Sequence, residues 1–203
     1  MLHKIRHVTA KHFEVPAAQL LIKAKISPNA ITLTGLAFAF ISAYLISDTS
    51  INNNFLFASI LLLLSGMMDL FDGAVARLSN KVTKLGAFID SVSDRIGEIA
   101  IFLGTTIYFS TEGNVLGSSL ALAALGGSLT VSYIRARAES LNIKCDSGFM
   151  TRPERIICLF IGILVANWWA PMLEIVMGIL VILTIITSIH RFTVAAKQIN
   201  KIK

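Results

Sequence analysis

The chain has 203 residues, of which 55% are apolar and 15% charged, with a net charge of +6 and a mean hydropathy of +0.73. A soluble globular domain carries roughly 25% charged residues. The composition therefore excludes an ordinary water-soluble fold and points to a chain solvated largely by lipid. The length suits a single domain, residues 1–203, rather than two.

In chain order, residues 1–24 come first and mix Ile5, Val8, Phe13, Val15 and Leu20 with Lys4, Arg6 and Lys11. That pattern suits a helix lying in the membrane interface, bent at Pro16. It lacks the apolar stretch and small-residue cleavage site of a secretory leader. Six apolar runs follow, at about 30–48, 55–78, 86–110, 115–138, 154–170 and 172–196, the fifth being the shortest. A run of about 20 apolar residues suffices to cross the hydrocarbon core. The expected architecture is an all-α membrane protein in which six transmembrane helices, within residues 30–196, follow an N-terminal amphipathic interfacial helix.

The 18 Lys and Arg residues fall in the N-terminal segment, around the second and fourth loops, and at the C-terminus; the first, third and fifth loops have none. By the positive-inside rule both termini and the even loops face the cytoplasm of a cell membrane. Anionic headgroups and phosphorylated substrates then account for the positive charge without nucleic acid. Cys145 and Cys158 fall in a loop and a span, and neither has metal-ligand spacing with His3, His7, His12 or His190.

The most costly feature is acidic. Asp69 and Asp72 lie three apart near the end of the second run, and Asp90 and Asp94 four apart near the start of the third. Such spacings put each pair on one helical face. The short linker Ser79–Thr83 predicts that the two helices are antiparallel neighbours with the pairs facing each other. Four ionised carboxylates at membrane depth need compensation. Mg²⁺ prefers carboxylate oxygens and keeps positions for substrate phosphates, and two cations would share four acids and clamp a phosphate diester. Gly73 and Gly86 suit either close helix packing or access for a substrate. Arg77 suits either a pyrophosphate contact or an interfacial positive charge.

The order Asp69, Asp72-Gly73, Ala76-Arg77, Gly86, Asp90, Asp94 resembles the signature of the CDP-alcohol phosphotransferases, with all eight fixed positions at the right gaps. The six-span plan and the amphipathic start resemble that family too. The resemblance implies two Mg²⁺ per active site, with Mn²⁺ as an alternative. Asp69, Asp72 and Asp90 would serve the first, and Asp69, Asp90 and Asp94 the second. It makes Asp94 the base that deprotonates the acceptor hydroxyl, which attacks the lipid-side phosphorus of a CDP-lipid and releases CMP. Asn29, Ala30, Ile31, Thr32, Gly73, Arg77 and Thr83 are the implied CDP-lipid contacts. The family also implies a homodimer, and apolar faces on the third and fourth spans permit one.

The fourth loop, Ser132 to Glu139 and Gly148 to Arg155, resembles the phosphatidylinositol phosphate synthase branch and its archaeal-lipid counterpart. That branch uses L-myo-inositol 1-phosphate (1D-myo-inositol 3-phosphate). Ser132, Arg135, Arg155 and Arg191 would bind the acceptor phosphate. Arg137 and Arg152 read as plain positive-inside charges, and Glu98 as a structural partner of a nearby arginine, with Arg95 the solvent-side choice. A phosphatidylglycerol phosphate synthase using glycerol 3-phosphate is the nearest alternative, followed by an enzyme making a phosphodiester of two inositols. A divalent-cation channel or transporter is the alternative from another class, although no acidic residue continues a path through the outer halves of the spans.

Overall fold

The structure is a computed structural model that describes residues 14–145, 148 and 150–202. Among the described residues it is all-helical: α1 Val15–Lys23, α2 Pro28–Ser47, α3 Asn54–Leu78, α4 Lys84–Thr111, α5 Val115–Ser140, α6 Arg152–Ala166 and α7 Pro171–Ile202. Local chemistry sets the starts. The Ala30 N–H donates to Ser27 Oγ at 3.2 Å, the Gly86 N–H to Thr83 Oγ1 at 2.9 Å, and the Gly117 N–H to Asn114 Oδ1 at 2.8 Å. Each satisfies an amide that the helix leaves unpaired. Between α3 and α4, Asn80 takes φ +54°, a left-handed conformation that asparagine tolerates well.

Helices occupy all six apolar runs. Four of them, α2, α3, α5 and α7, are long and apolar enough to cross a membrane. In α4 the charges Asp90, Asp94, Arg95 and Glu98 interrupt the apolar stretch. With 15 residues, α6 is about 22 Å long, shorter than a hydrocarbon core of about 30 Å. The proposed interfacial segment is described only from residue 14; its Lys4, Arg6 and Lys11 lie outside the described residues. Pro16 sits in the first turn of α1, where its missing N–H is one the turn leaves free anyway; a bend there would involve residues outside the described ones. Ala18, Leu21 and Ile22 of α1 pack with Phe71, Ala74 and Val75 of α3.

The larger helices close a ring in the order α2, α4, α5, α7, α6, α3, each packed on the next. This corrects one expectation: α3 and α4 are not packed along each other, and both lean on α2 instead. Small residues are the reason. A Cβ on Gly97 would come within 3.3 Å of Ala39 Cβ, one on Gly104 would overlap the Ala43 carbonyl, and one on Gly35 would lie 2.9 Å from Met68 Cβ. Such contacts bring backbones close. Gly104→Ala is expected to cost about 1–3 kcal/mol through overpacking, read as a lower unfolding temperature in detergent.

The two ends of the ring differ. One is apolar, with Ile46, Phe55, Leu62, Phe102, Tyr108, Leu159, Ile163, Met177 and Leu180 in one buried cluster. There the Phe55 and Tyr108 rings meet edge to face, centroids 4.9 Å apart. The other end holds the buried charges Asp72, Glu98, Arg155 and Arg191.

Candidate active site

The aspartates occupy two helices that face one another across the ring. Oxygens of Asp69 on α3 and of Asp90 and Asp94 on α4 lie within 4.8 Å of one another, all three side chains being half-buried. Asp72 is set apart from this trio. It is 5% exposed, and its Oδ2 accepts a 2.6 Å hydrogen bond from Thr32 Oγ1. The structure thus brings together three of the four predicted metal ligands and gives the fourth a hydroxyl partner on α2.

The trio has a cationic partner that the sequence did not reveal. Arg152, the first residue of α6, donates from Nη1 to Asp69 Oδ1 at 2.8 Å and sets Nη2 2.7 Å from Asp94 Oδ1. Arg95 is a looser neighbour, 3.9 Å from Asp94 Oδ2 while donating to the Ser91 carbonyl. Asp90 Oδ1 is buried and has no hydrogen-bond partner among the described residues. Three converging carboxylates, one with an orphaned buried oxygen, form a donor set that fits a hard divalent cation.

Beside the trio lies a cleft of about 300 Å³. It is lined by Asn29, Thr32, Asp72, Gly73, Arg77, Thr83, Gly86 and Asp90, together with Lys81 of the α3–α4 linker. Five of the seven predicted CDP-lipid contacts therefore line one cavity. The other two do not: Ile31 packs into the apolar cluster with Phe71 and Val75, and the Ala30 N–H is spent on the helix cap. Two glycines keep the cleft open. A Cβ on Gly73 would sit 3.0 Å from Arg77 Nη1, and one on Gly86 would sit 3.0 Å from Thr83 Oγ1 and 3.4 Å from Asn29 Oδ1. The Arg77 guanidinium is exposed and lies 4.0 Å from the Glu14 carboxylate.

The four predicted acceptor-phosphate residues converge less evenly. Arg155 is 1% exposed. Its Nε and Nη2 donate to Glu98 Oε1 and Oε2 at 2.7 and 3.2 Å, Nη1 to the Met150 carbonyl at 3.2 Å, and Nη2 also to Ser132 Oγ at 3.4 Å. Glu98 thus pairs with Arg155, not with Arg95. The signal was present in the sequence, since Glu98 continues the Asp90–Asp94 face by one turn, but its partner is 57 residues away. Arg191 is buried, donates to the Val131 carbonyl at 2.9 Å, and lies within electrostatic range of Arg135 and Arg155. Gly148 lies against α7 here, where a Cβ would come 2.9 Å from Thr187 Cγ2 and 3.1 Å from Arg191 Nε. Arg135 is half-exposed and pairs with Glu139 at 2.8 Å.

The sequence profile of the CDP-alcohol phosphatidyltransferase family matches residues 25–190. A phosphatidylinositol phosphate synthase of Corynebacterium glutamicum is 31% identical over 186 residues, covering 90% of this chain and 84% of the relative. An archaetidylinositol phosphate synthase of Methanothermobacter thermautotrophicus is 37% identical over 162 residues, covering 80% and 76%. Crystal structures of Mycobacterium tuberculosis phosphatidylinositol phosphate synthase superpose at 28% identity. The complex with manganese and citrate gives a TM-score of 0.81, covering 90% of this chain and 88% of that one. The complex with CDP-DAG gives 0.80, covering 90% and 93%. Sequence, fold and the acid-lined cleft agree, and the chain belongs to the CDP-alcohol phosphatidyltransferase family as a phospholipid-synthesising transferase.

Proposed function

We propose that the protein transfers a phosphatidyl-type group from a CDP-lipid to L-myo-inositol 1-phosphate, releasing CMP, with Mg²⁺ or Mn²⁺ held by Asp69, Asp72, Asp90 and Asp94. One observation carries the reading: the Asp69–Asp90–Asp94 trio adjoins a cleft lined by Asn29, Gly73, Arg77 and Thr83. Divalent cations, when bound, supply charge neutralisation for a diphosphate.

The chain's own residues do the rest. Arg77 and Lys81 set positive charge along the cleft for the CDP phosphates. Gly73 and Gly86 leave room for the diphosphate to approach. An Asp94 carboxylate oxygen accepts the proton of the acceptor hydroxyl. The hydroxyl oxygen bonds to the lipid-side phosphorus, the bond from that phosphorus to the bridging oxygen breaks, and CMP leaves with the electron pair. Arg191, Arg135, Arg155 and Ser132 hold the acceptor phosphate. Among them Arg155 is the one already paired, through Nε and Nη2, with Glu98.

The names of the relatives and the convergence of basic residues beside the acids support inositol phosphate as acceptor. The test is CMP release by purified protein given a CDP-lipid, Mg²⁺ and a panel of acceptors. Release with no acceptor in the panel would refute the transferase chemistry proposed here. Release with glycerol 3-phosphate but not inositol 1-phosphate would move the acceptor assignment alone. Running the panel with both diacylglycerol and archaeol CDP-lipids assigns the tails.

In the membrane, the reading places six spans with both termini and the acidic end at the cytoplasmic face. Arg77, Lys81, Arg95 and Arg152 lie beside the aspartates at that end, while exposed Trp168 and Trp169 lie in the turn after α6, as interfacial aromatics do. A homodimer through the third and fourth spans is supported on α4 by an exposed apolar stripe, Leu85, Phe88, Val92, Ile96, Ile99, Leu103 and Ile107.

A further inference from the structure

We infer that Arg152 is a built-in counter-ion of the carboxylate trio, one that gives way when a divalent cation loads and thereby sets the metal affinity of the site. The inference rests on the metal-dependent reading above. Arg152 Nη1 and Nη2 take one oxygen each of Asp69 and Asp94, at 2.8 and 2.7 Å. These are two of the three carboxylates that converge within 4.8 Å. A guanidinium bridging two carboxylates and a divalent cation drawing on the same two compete for the same lone pairs and the same negative charge. Each therefore weakens the other, by equal and reciprocal amounts.

Three further observations suit an exchangeable partner rather than a fixed strut. Among the described residues, Arg152 Nε is buried without a hydrogen-bond acceptor, whereas permanently buried polar groups are almost always satisfied. The side chain keeps 27% exposure, against 1% for Arg155, so it has room to swing. Helix α6 also does not depend on Arg152 for its position: one turn on, Arg155 binds Glu98 through two hydrogen bonds, and Thr151 and Glu154 bond across the first turn. The Arg152 guanidinium can leave while its helix stays docked. The arrangement keeps the acids compensated at membrane depth before metal arrives.

The test is a Mn²⁺ titration of EDTA-stripped, detergent-solubilised protein, with free Mn²⁺ followed by electron paramagnetic resonance. Arg152→Gln is expected to tighten Mn²⁺ binding on the order of tenfold, since one positive charge leaves the immediate surroundings of the site. The stripped variant should also unfold at a lower temperature than the stripped wild type, and gain more degrees on adding Mg²⁺. Simple structural damage would weaken metal binding, the opposite sign. Arg152→Lys keeps the charge but loses the two-pronged contact. It should tighten binding by a smaller factor, and it carries the test if the Gln variant does not stay folded. Unchanged or weaker Mn²⁺ affinity in whichever variant folds overturns the inference, provided the wild type binds Mn²⁺ and releases CMP. A wild type that binds no Mn²⁺ overturns the inference and the metal-dependent reading together.

Discussion

Asp94→Asn is expected to lower turnover by about 10²–10⁴-fold, the range typical of a lost general base, while leaving CDP-lipid binding largely intact. The substitution preserves shape but removes the oxygen that would accept the acceptor's proton. It leaves the cleft alone, since Asn29, Gly73, Arg77 and Thr83 do not depend on position 94. Asp94 also belongs to the convergent trio, so lost turnover has two possible causes, and Mg²⁺ concentration separates them. A defect that saturating Mg²⁺ repairs would make Asp94 a ligand only. A defect in kcat that persists at saturating Mg²⁺, with CDP-lipid binding retained, supports the base. CMP release and CDP-lipid binding on the same preparation supply both readouts.

The second large effect falls on stability. Glu98→Ala leaves the Arg155 guanidinium, 1% exposed, without its counter-charge. Breaking a buried ion pair from one side costs about 3–5 kcal/mol, and the protein should unfold at a clearly lower temperature in detergent. Arg155→Ala should do similar damage by stranding Glu98. The paired replacement Glu98→Leu with Arg155→Met removes both charges and should recover much of the loss, because apolar side chains of similar volume often replace a buried pair without penalty. If Arg155 also positions the acceptor pocket with Ser132, the stable double variant will show a raised KM for inositol 1-phosphate at little cost in CDP-lipid affinity. An unchanged KM would make the pair purely structural.

Much of this site is written in local spacing. Asp69, Asp72, Asp90 and Asp94 are three and four residues apart, and helical periodicity alone places each pair on a face. Ser27-Pro28 and Thr83 mark helix starts by chemistry that acts within four residues. What could not be read locally is who meets whom. Arg152 and Asp69 are 83 residues apart, Arg155 and Glu98 are 57 apart, and Thr32 and Asp72 are 40 apart. Nothing in the spacing around Arg152 separates an ion pair from one more positive-inside charge. Helix adjacency failed for a related reason. A short linker brings two helix ends together but does not press the helices along their length. The contacts of Gly35, Gly97 and Gly104 on α2 and α4 decide that, and they belong to pairs of surfaces rather than to stretches of chain. Span counting meets its limit at α6, where 15 helical residues end at Ala166 and the polar Asn167 separates them from Trp168, Trp169 and Ala170.

The position of α2 between α3 and α4 means that the separation of the Asp69 side from the Asp90–Asp94 side is gauged by a helix that supplies no member of the trio. It works like the fixed jaw of a calliper. At Gly35 its backbone rests against α3, where an added methyl would stand 2.9 Å from Met68 Cβ and 3.3 Å from the Ser65 carbonyl. Gly35→Ala should widen the gap by a few tenths of an ångström without altering a single ligand. Mg²⁺ demands oxygen distances of about 2.0–2.1 Å whereas Ca²⁺ accepts about 2.3–2.6 Å. The variant's binding preference should therefore drift from the smaller ion toward the larger, measurable by competing the two against bound Mn²⁺. Ion size discrimination would then be inherited from helix packing, at a residue that touches no ion.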